Sequence, residues 1–380
     1  MRTTVGPDVL DCSRPGTLIF WFILGAALGV TVMGAYGAGG WRSLLHVGSR
    51  NPLLHTIESE LGPLAPSDAT GHDGQLYYLV ARDPLGTGET PHALAAFDDN
   101  GPRYRYRRIL FPVLAGGFGQ LGAQATLGGM ITWLAVAMGL ATVAIADLSF
   151  QLNVREAVFV AAVNAGALVS LLLLTADVLA LALALGGISL ALRWRTGWAV
   201  AALALAALTK EVYVLVPWAL AAWRWNERQR GDALALAVLP VLPIVAWSGW
   251  VATSLPGIAT AVANVGMPFV GFFEAVSVWV SQERNPVELF LAAFTGLTFV
   301  GASAMLAVGR IKVLRWLVAP WVALGCFATL EVWGKPNNAA RVFAILWPLS
   351  ILLLSDWRSS WRKRTTVVTK PTADVRTAIR

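Results

Sequence analysis

The chain has 380 residues, 56% of them hydrophobic and only 13% charged, with a net charge of +7. A soluble domain carries about 25% charged residues, so this composition, with a mean hydropathy of +0.62, excludes a water-facing globule and places the chain in a membrane. The positive excess gathers after Ser355, where Arg358, Arg362, Lys363, Arg364, Lys370, Arg376 and Arg380 stand against two aspartates; a basic tail beside a hydrophobic helix marks a cytoplasmic flank, not a nucleic-acid-binding surface.

In chain order, the first sixteen residues are polar and the apolar run from 17 to 37 is long enough to cross a bilayer. No A-x-A site closes that run, so it reads as a retained first span and not as a cleaved signal. A long polar segment follows from 38 to 125. Further spans are expected at 126–148, 156–174, 176–193, 232–252, 286–309, 314–333 and 338–355, with an amphipathic, interfacial piece at 253–285. The resulting expectation is an all-α, polytopic transmembrane bundle of about ten membrane helices. It has a catalytic domain over 1–355, whose outer loop 38–125 carries the site, and a basic cytoplasmic tail over 356–380.

The stretch 197–223 is interrupted by Thr209-Lys210-Glu211. Arg155, Arg193–Arg195, Arg224–Arg230, Arg310–Arg315 and the C-terminal tail all fall on the cytoplasmic side only if 197–223 enters and leaves on one face. It then becomes a hairpin of two arms of about 13 residues, each rising only ~20 Å. Its Lys-Glu tip stops within the membrane thickness, on the outer side. Charge at that depth is tolerated only inside protein or beside a watery cavity. Both termini are expected in the cytoplasm.

Chemistry is sought in the polar interruptions. Cys12 and Cys326 lack metal-ligand spacing, and His46, His55, His72 and His92 form no HExxH-type pair. The outer segment contains Gly71-His72-Asp73-Gly74-Gln75-Leu76-Tyr77-Tyr78. Asp73 suits a helix N-cap and equally a catalytic carboxylate, with glycines nearby that let a substrate approach. Arg103-Tyr104-Arg105-Tyr106-Arg107-Arg108-Ile109-Leu110-Phe111-Pro112 sets four arginines on the outer side. Guanidinium forks suit phosphate, while snorkelling onto lipid headgroups is the plainer reading. Asp177 sits in the turn Thr175-Ala176-Asp177, as a turn residue or as a functional acid near the membrane. Lys210 and Glu211 either pair locally or face a polar cavity. Lys335-Pro336-Asn337-Asn338-Ala339-Ala340-Arg341 opens the last helix, and Arg341 near a helix N-terminus calls for an anionic partner.

Taken together, these residues resemble the GT-C superfamily of polyprenyl-phosphate-sugar-dependent glycosyltransferases. The likeness rests on His72-Asp73-Gly74-Gln75-Leu76-Tyr77-Tyr78 in the first outer loop and on Arg107-Arg108-Ile109-Leu110-Phe111-Pro112, which is similar to the aromatic-proline segment of PIG-V-like mannosyltransferases. Thr175-Ala176-Asp177 and Ala207-Leu208-Thr209-Lys210-Glu211 add to it. The resemblance implies an inverting transfer from a polyprenyl-phosphate sugar to a glycan or lipid acceptor on the extracytoplasmic face of the cell membrane, with Asp73 as general base. It implies donor or substrate contacts among His72, Gln75, Tyr77, Arg105, Arg107, Arg108, Asp177, Lys210, Glu211, Asn338 and Arg341, with membrane lipids around the bundle. The family often pairs two acids in this loop, whereas here Asp83 lies ten residues beyond Asp73, which leaves a divalent cation open. Mannose and arabinose donors both remain open. The rival readings are a secondary transporter, whose paired halves are absent from the hydropathy pattern, and a non-catalytic polyprenyl-lipid-binding membrane protein.

Overall fold

A computed structural model of the chain describes residues 15–37, 40–66, 69–97, 101–256, 264–281 and 285–368. The described residues are helical, with only two isolated β-bridges. The first apolar helix is α1 (Pro15–Tyr36), and the segment 38–125 follows as α2 (Leu54–Leu61), α3 (Asp73–Arg82), α4 (Thr90–Phe97), α5 (Gly101–Tyr106) and α6 (Leu110–Gly116). Next come α7 (Ala123–Gln151), α8 (Val158–Ala162), α9 (Ala165–Leu172), α10 (Asp177–Leu192), α11 (Thr196–Thr209) and α12 (Leu215–Asn226). The remainder is α13 (Arg230–Val238), α14 (Leu242–Ser254), α15 (Val270–Ser281), α16 (Pro286–Val308), α17 (Lys312–Phe327), α18 (Leu330–Trp333), α19 (Pro336–Val342) and α20 (Leu346–Val368).

Four described stretches are long and apolar enough to cross a membrane: Pro15–Tyr36, Ala123–Gln151, Arg230–Ser254 and Pro286–Val308. The pair α19–α20 makes a fifth, bent by 60°. The count of about ten is therefore not reached by helix length. Expected spans 156–174 and 338–355 are each broken, and 314–333 ends as a helix at Phe327 after 16 residues. The reason is local. Asn164 stops α8, caps α9 by accepting from Ala167 N at 3.2 Å, and donates Nδ2 to the Ala344 carbonyl at 2.7 Å. Ala344 lies in the break between α19 and α20, so one interruption satisfies a backbone group released by the other, as apolar surroundings require. Small residues let helices close up elsewhere: a Cβ on Gly25 of α1 would sit 2.4 Å from Thr142 Oγ1 of α7.

The interrupted stretch 197–223 is a hairpin. Lys210, in extended conformation (φ −156°, ψ 116°), ends α11, and a 3-10 turn at Glu211–Val214 leads into α12. At the far end, Arg224 donates Nη2 to the Ala191 carbonyl and lies 3.6 Å from the Trp194 ring. The segment thus leaves where it entered, beside the α10–α11 turn. Arg193, paired with Asp147 at the end of α7, is at the same end, as is Trp21 of α1, clustered with Ala146. α16 and α17 each send one end to the opposite side, through Glu288 and Leu324, and carry Arg310 and Lys312 at the other. The basic clusters therefore share one end of the bundle.

The segment 38–125 is not a loop. Its described residues form five helices and a 3-10 turn (Trp41–Leu45) that pack on one another and on α7, with Leu76 to Ala81 all buried. In the segment 253–285, α15 buries Gly271, Ala275 and Trp279, while its exposed side carries the apolar Phe273 and Val280, so the expected polar face is not what it presents. The chain just before α15 pairs Val265 with Ala328. Residues 1–14 and 369–380, the latter with Lys370, Arg376 and Arg380 of the expected cytoplasmic tail, lie outside the described residues.

Candidate functional site

A cavity of about 620 Å³ opens at the end of the bundle opposite the basic clusters. It is lined by His72, Asp73, Arg105, Arg108, Asp177, Lys210, Glu211, Asn338 and Arg341 among others. Residues separated by more than 260 positions in sequence thus meet in one place.

Asp73 is the first helical residue of α3, and His72, in extended conformation, occupies the N-cap position. The N-cap reading of Asp73 is corrected accordingly, although its carboxylate still lies at the positive end of the helix. Gln75 holds this corner without touching the cavity. Its Oε1 accepts from Gly48 N (3.1 Å) and Asn51 Nδ2 (2.8 Å), and its Nε2 donates to the Thr70 carbonyl (2.6 Å). Gly71 needs its left-handed backbone (φ 70°), and a Cβ there would strike His46 O at 2.4 Å. A Cβ on Gly74 would lie 2.7 Å from Leu173 O. Gly74 serves close packing of α3 against the α9–α10 turn, whereas Gly71 packs against the His46–Gly48 backbone and also lines the cavity.

Asp73 Oδ1 accepts from Arg105 Nη1 at 3.0 Å and Oδ2 from Arg341 Nη1 at 2.8 Å. The same Arg341 nitrogen lies 3.5 Å from Asp177 Oδ2. Asp177 begins α10; its Oδ2 accepts from Thr175 Oγ1 at 2.7 Å, and its Oδ1 is paired with Lys210 Nζ. A chain of five charges results, Arg105–Asp73–Arg341–Asp177–Lys210, with three cations to two carboxylates. Beside it, Arg108 grips Glu211 through Nε (3.0 Å) and Nη2 (2.8 Å) and lies 4.3 Å from the Tyr104 ring centre. Lys210 and Asp177 side chains are only 7% and 4% exposed, whereas Asp73 keeps 23% and Glu211 39% open to the cavity. Burial raises the Asp73 carboxyl, but the guanidiniums of Arg105 and Arg341 outweigh it and hold the group far below the usual carboxylate range.

Three expected contacts fall elsewhere. Gln75 is a buried brace, Tyr77 packs edge-on against Phe111 at 5.6 Å, and Arg107 does not line the cavity. Arg341 is also placed differently: it lies in the last turn of α19, not at the start of a long helix, and its anionic partners are protein carboxylates. The cavity adds Tyr104, Asn264, Glu288, Glu331 and Lys335. Glu288 and Glu331 were visible as lone acids at the ends of apolar runs. Lys335 and Glu331, four residues apart, pair at 3.5 Å, both well exposed.

The described residues do not fit a divalent cation. Both oxygens of Asp73 are taken by guanidiniums, and the described residues contain no group of three or more His, Cys, Asp or Glu side chains that could hold an ion. The lining as a whole balances five cations with five carboxylates, but the chain around Asp73 carries one cation in excess, and its planar donor forks suit an anion beside the carboxylate. No family model matches the chain, and no curated protein or solved structure matches it.

Proposed function

We propose that the chain is a membrane glycosyltransferase that moves a sugar from a polyprenyl-phosphate donor to an acceptor hydroxyl, with inversion. The observation that carries this reading is the Arg105–Asp73–Arg341 cluster: a carboxylate and two guanidiniums on one cavity wall, in a bundle whose apolar helices can shelter a lipid chain. The phosphodiester of such a donor carries one negative charge, which balances the single excess cation of the charge chain.

In the proposed step, an acceptor hydroxyl attacks the anomeric carbon as its proton passes to an Asp73 carboxylate oxygen. The new carbon–oxygen bond forms as the bond from the anomeric carbon to the phosphate oxygen breaks. The electron pair stays on that oxygen, releasing a polyprenyl phosphate monoester. Negative charge grows on the phosphate through this step, where Arg105, Arg341 and Lys210 supply compensating charge in a sheltered site. Asp177 holds Lys210 and Arg341 in place. The basic end of the bundle would face the cytoplasm, which puts the cavity on the extracytoplasmic side.

Incubation of the purified protein with polyprenyl-phosphate sugars labelled in the glycosyl group tests the proposal. Transfer of label to an acceptor with inverted anomeric configuration supports it. Labelled lipid that binds but is never consumed points to a non-catalytic lipid-binding protein, and label carried unchanged across a vesicle membrane points to a transporter.

A further inference from the structure

The clamp on Asp73 conflicts with the task of a general base. Each carboxylate oxygen accepts from a different guanidinium, at 3.0 and 2.8 Å, and a carboxylate so stabilised has little affinity for a proton. A base works best when its proton affinity matches the operating pH. As it stands, Asp73 is held off.

We infer that the donor's own phosphate releases it: Arg105 and Arg341 turn from Asp73 to the entering phosphodiester, so that Asp73 becomes a proton acceptor only in the donor-loaded cavity. This inference rests on the transferase reading and deepens it. Its support is geometric. Both arginines line the cavity. Arg341 already stands at a fork, bonded to Asp73 at 2.8 Å and near Asp177 at 3.5 Å, so it has a second carboxylate to lean on when it swings.

The other groups around Asp73 are committed. Arg108, from the link between α5 and α6, is gripped in two places by Glu211. Lys210, at the hairpin tip, is bonded to Asp177 of α10. Tyr77 of α3 is packed against Phe111, and the ring of His72 lies 5.2 Å from that of His46. Arg105 and Arg341 are the two cations bonded to Asp73 itself. A phosphodiester offers two non-bridging oxygens to their planar donors. Binding then uncovers the base beside the anomeric carbon that the phosphate carries. An acceptor hydroxyl arriving first meets a carboxylate that cannot take its proton, so donor binding precedes activation.

The test uses the full chain in detergent and diethyl phosphate, which carries the donor's charge but no sugar. Infrared difference spectra on its addition should show a carboxylate stretching band that moves in the wild type and is missing in Asp73→Asn. Binding, followed by calorimetry, should weaken about 10- to 100-fold in Arg341→Gln. Diethyl phosphate that binds without moving an Asp73-dependent band overturns the inference, as does the absence of binding. Labelled-sugar transfer is measured on the same preparation. Transfer without the band shift removes the gate and leaves the transferase reading, whereas the band shift without transfer supports the gate's opening and overturns that reading.

Discussion

The Asp177–Lys210 pair gives a sharp test of how the hairpin tip is held. Both side chains are almost fully enclosed, at 4% and 7% exposure. Lys210→Met removes one partner and keeps the length of the stem. Leaving a buried charge alone costs about 3–5 kcal/mol, but Arg341 Nη1, 3.5 Å from Asp177 Oδ2, and Thr175 Oγ1 at 2.7 Å would take up part of the load, so the expected loss is ~2–3 kcal/mol. Asp177→Leu strands Lys210 in the same way and should cost a similar amount. Replacing both removes the pair without stranding either charge, so the double variant should be more stable than the sum of the singles by ~2 kcal/mol. Equilibrium unfolding in mixed micelles of rising SDS content, followed by tryptophan fluorescence, supplies the cycle. Additivity within about 0.5 kcal/mol would refute the claim that these groups form a closed, buried pair.

Other expectations follow from particular contacts. Glu60 accepts from Tyr78 Oη and Arg82 Nη2, both at 2.9 Å. Burial raises its carboxyl, but Arg82 and Tyr78 outweigh that and hold it below the ordinary range. Its contribution, about 0.5–1 kcal/mol, is therefore present above the unfolded carboxylate value near pH ~4.3 and fades as pH falls through the folded one. Glu60→Gln should lower stability at pH 7, and the deficit should shrink as the pH falls below ~4.3, as urea unfolding along a pH series would show; a deficit that does not change with pH would contradict the assignment. Gly74→Ala drives a Cβ to 2.7 Å from Leu173 O and should cost about 1–3 kcal/mol, read as a lowered unfolding temperature, while Gly186→Ala, with open space around it, should cost nothing. In oriented cells, a cysteine replacing the exposed His55 should react with an impermeant maleimide from outside and one replacing Arg230 only after permeabilisation; labelling of position 55 from the cytoplasm alone would reverse the proposed orientation.

Much of the helical architecture was legible because apolar runs announce membrane-length helices. The runs 17–37 and 286–309 reappear almost unchanged as α1 and α16. The hairpin was legible from charge, since two basic clusters had to share an end and Lys-Glu had to sit between them. What escaped notice were the breaks made by single small residues. Asn164 lies among Ala and Val, and nothing in its neighbours reveals that its amide answers a carbonyl 180 positions away. The helicity of the segment 38–125 was hidden by its short, glycine-punctuated pieces, which pack on one another and on α7. In the site, Arg107 and Arg108 are equivalent as letters; one residue of rotation decides that Arg108 meets Glu211 and Arg107 stays out of the cavity. Gln75 and Tyr77 were drawn in by proximity to Asp73, although α3 turns them toward the protein interior.

The central claim is that Asp73 takes the acceptor's proton during sugar transfer, and Asp73→Asn tests it most directly. Asparagine keeps the size and one accepting oxygen but removes the base. The decisive measurement is turnover of a labelled polyprenyl-phosphate sugar by this variant, alongside its donor affinity and unfolding temperature. Turnover should fall by about 10²–10⁴-fold in a protein that still folds and still binds donor. Turnover equal to the wild type, in a folded variant with unchanged donor affinity, would contradict the claim.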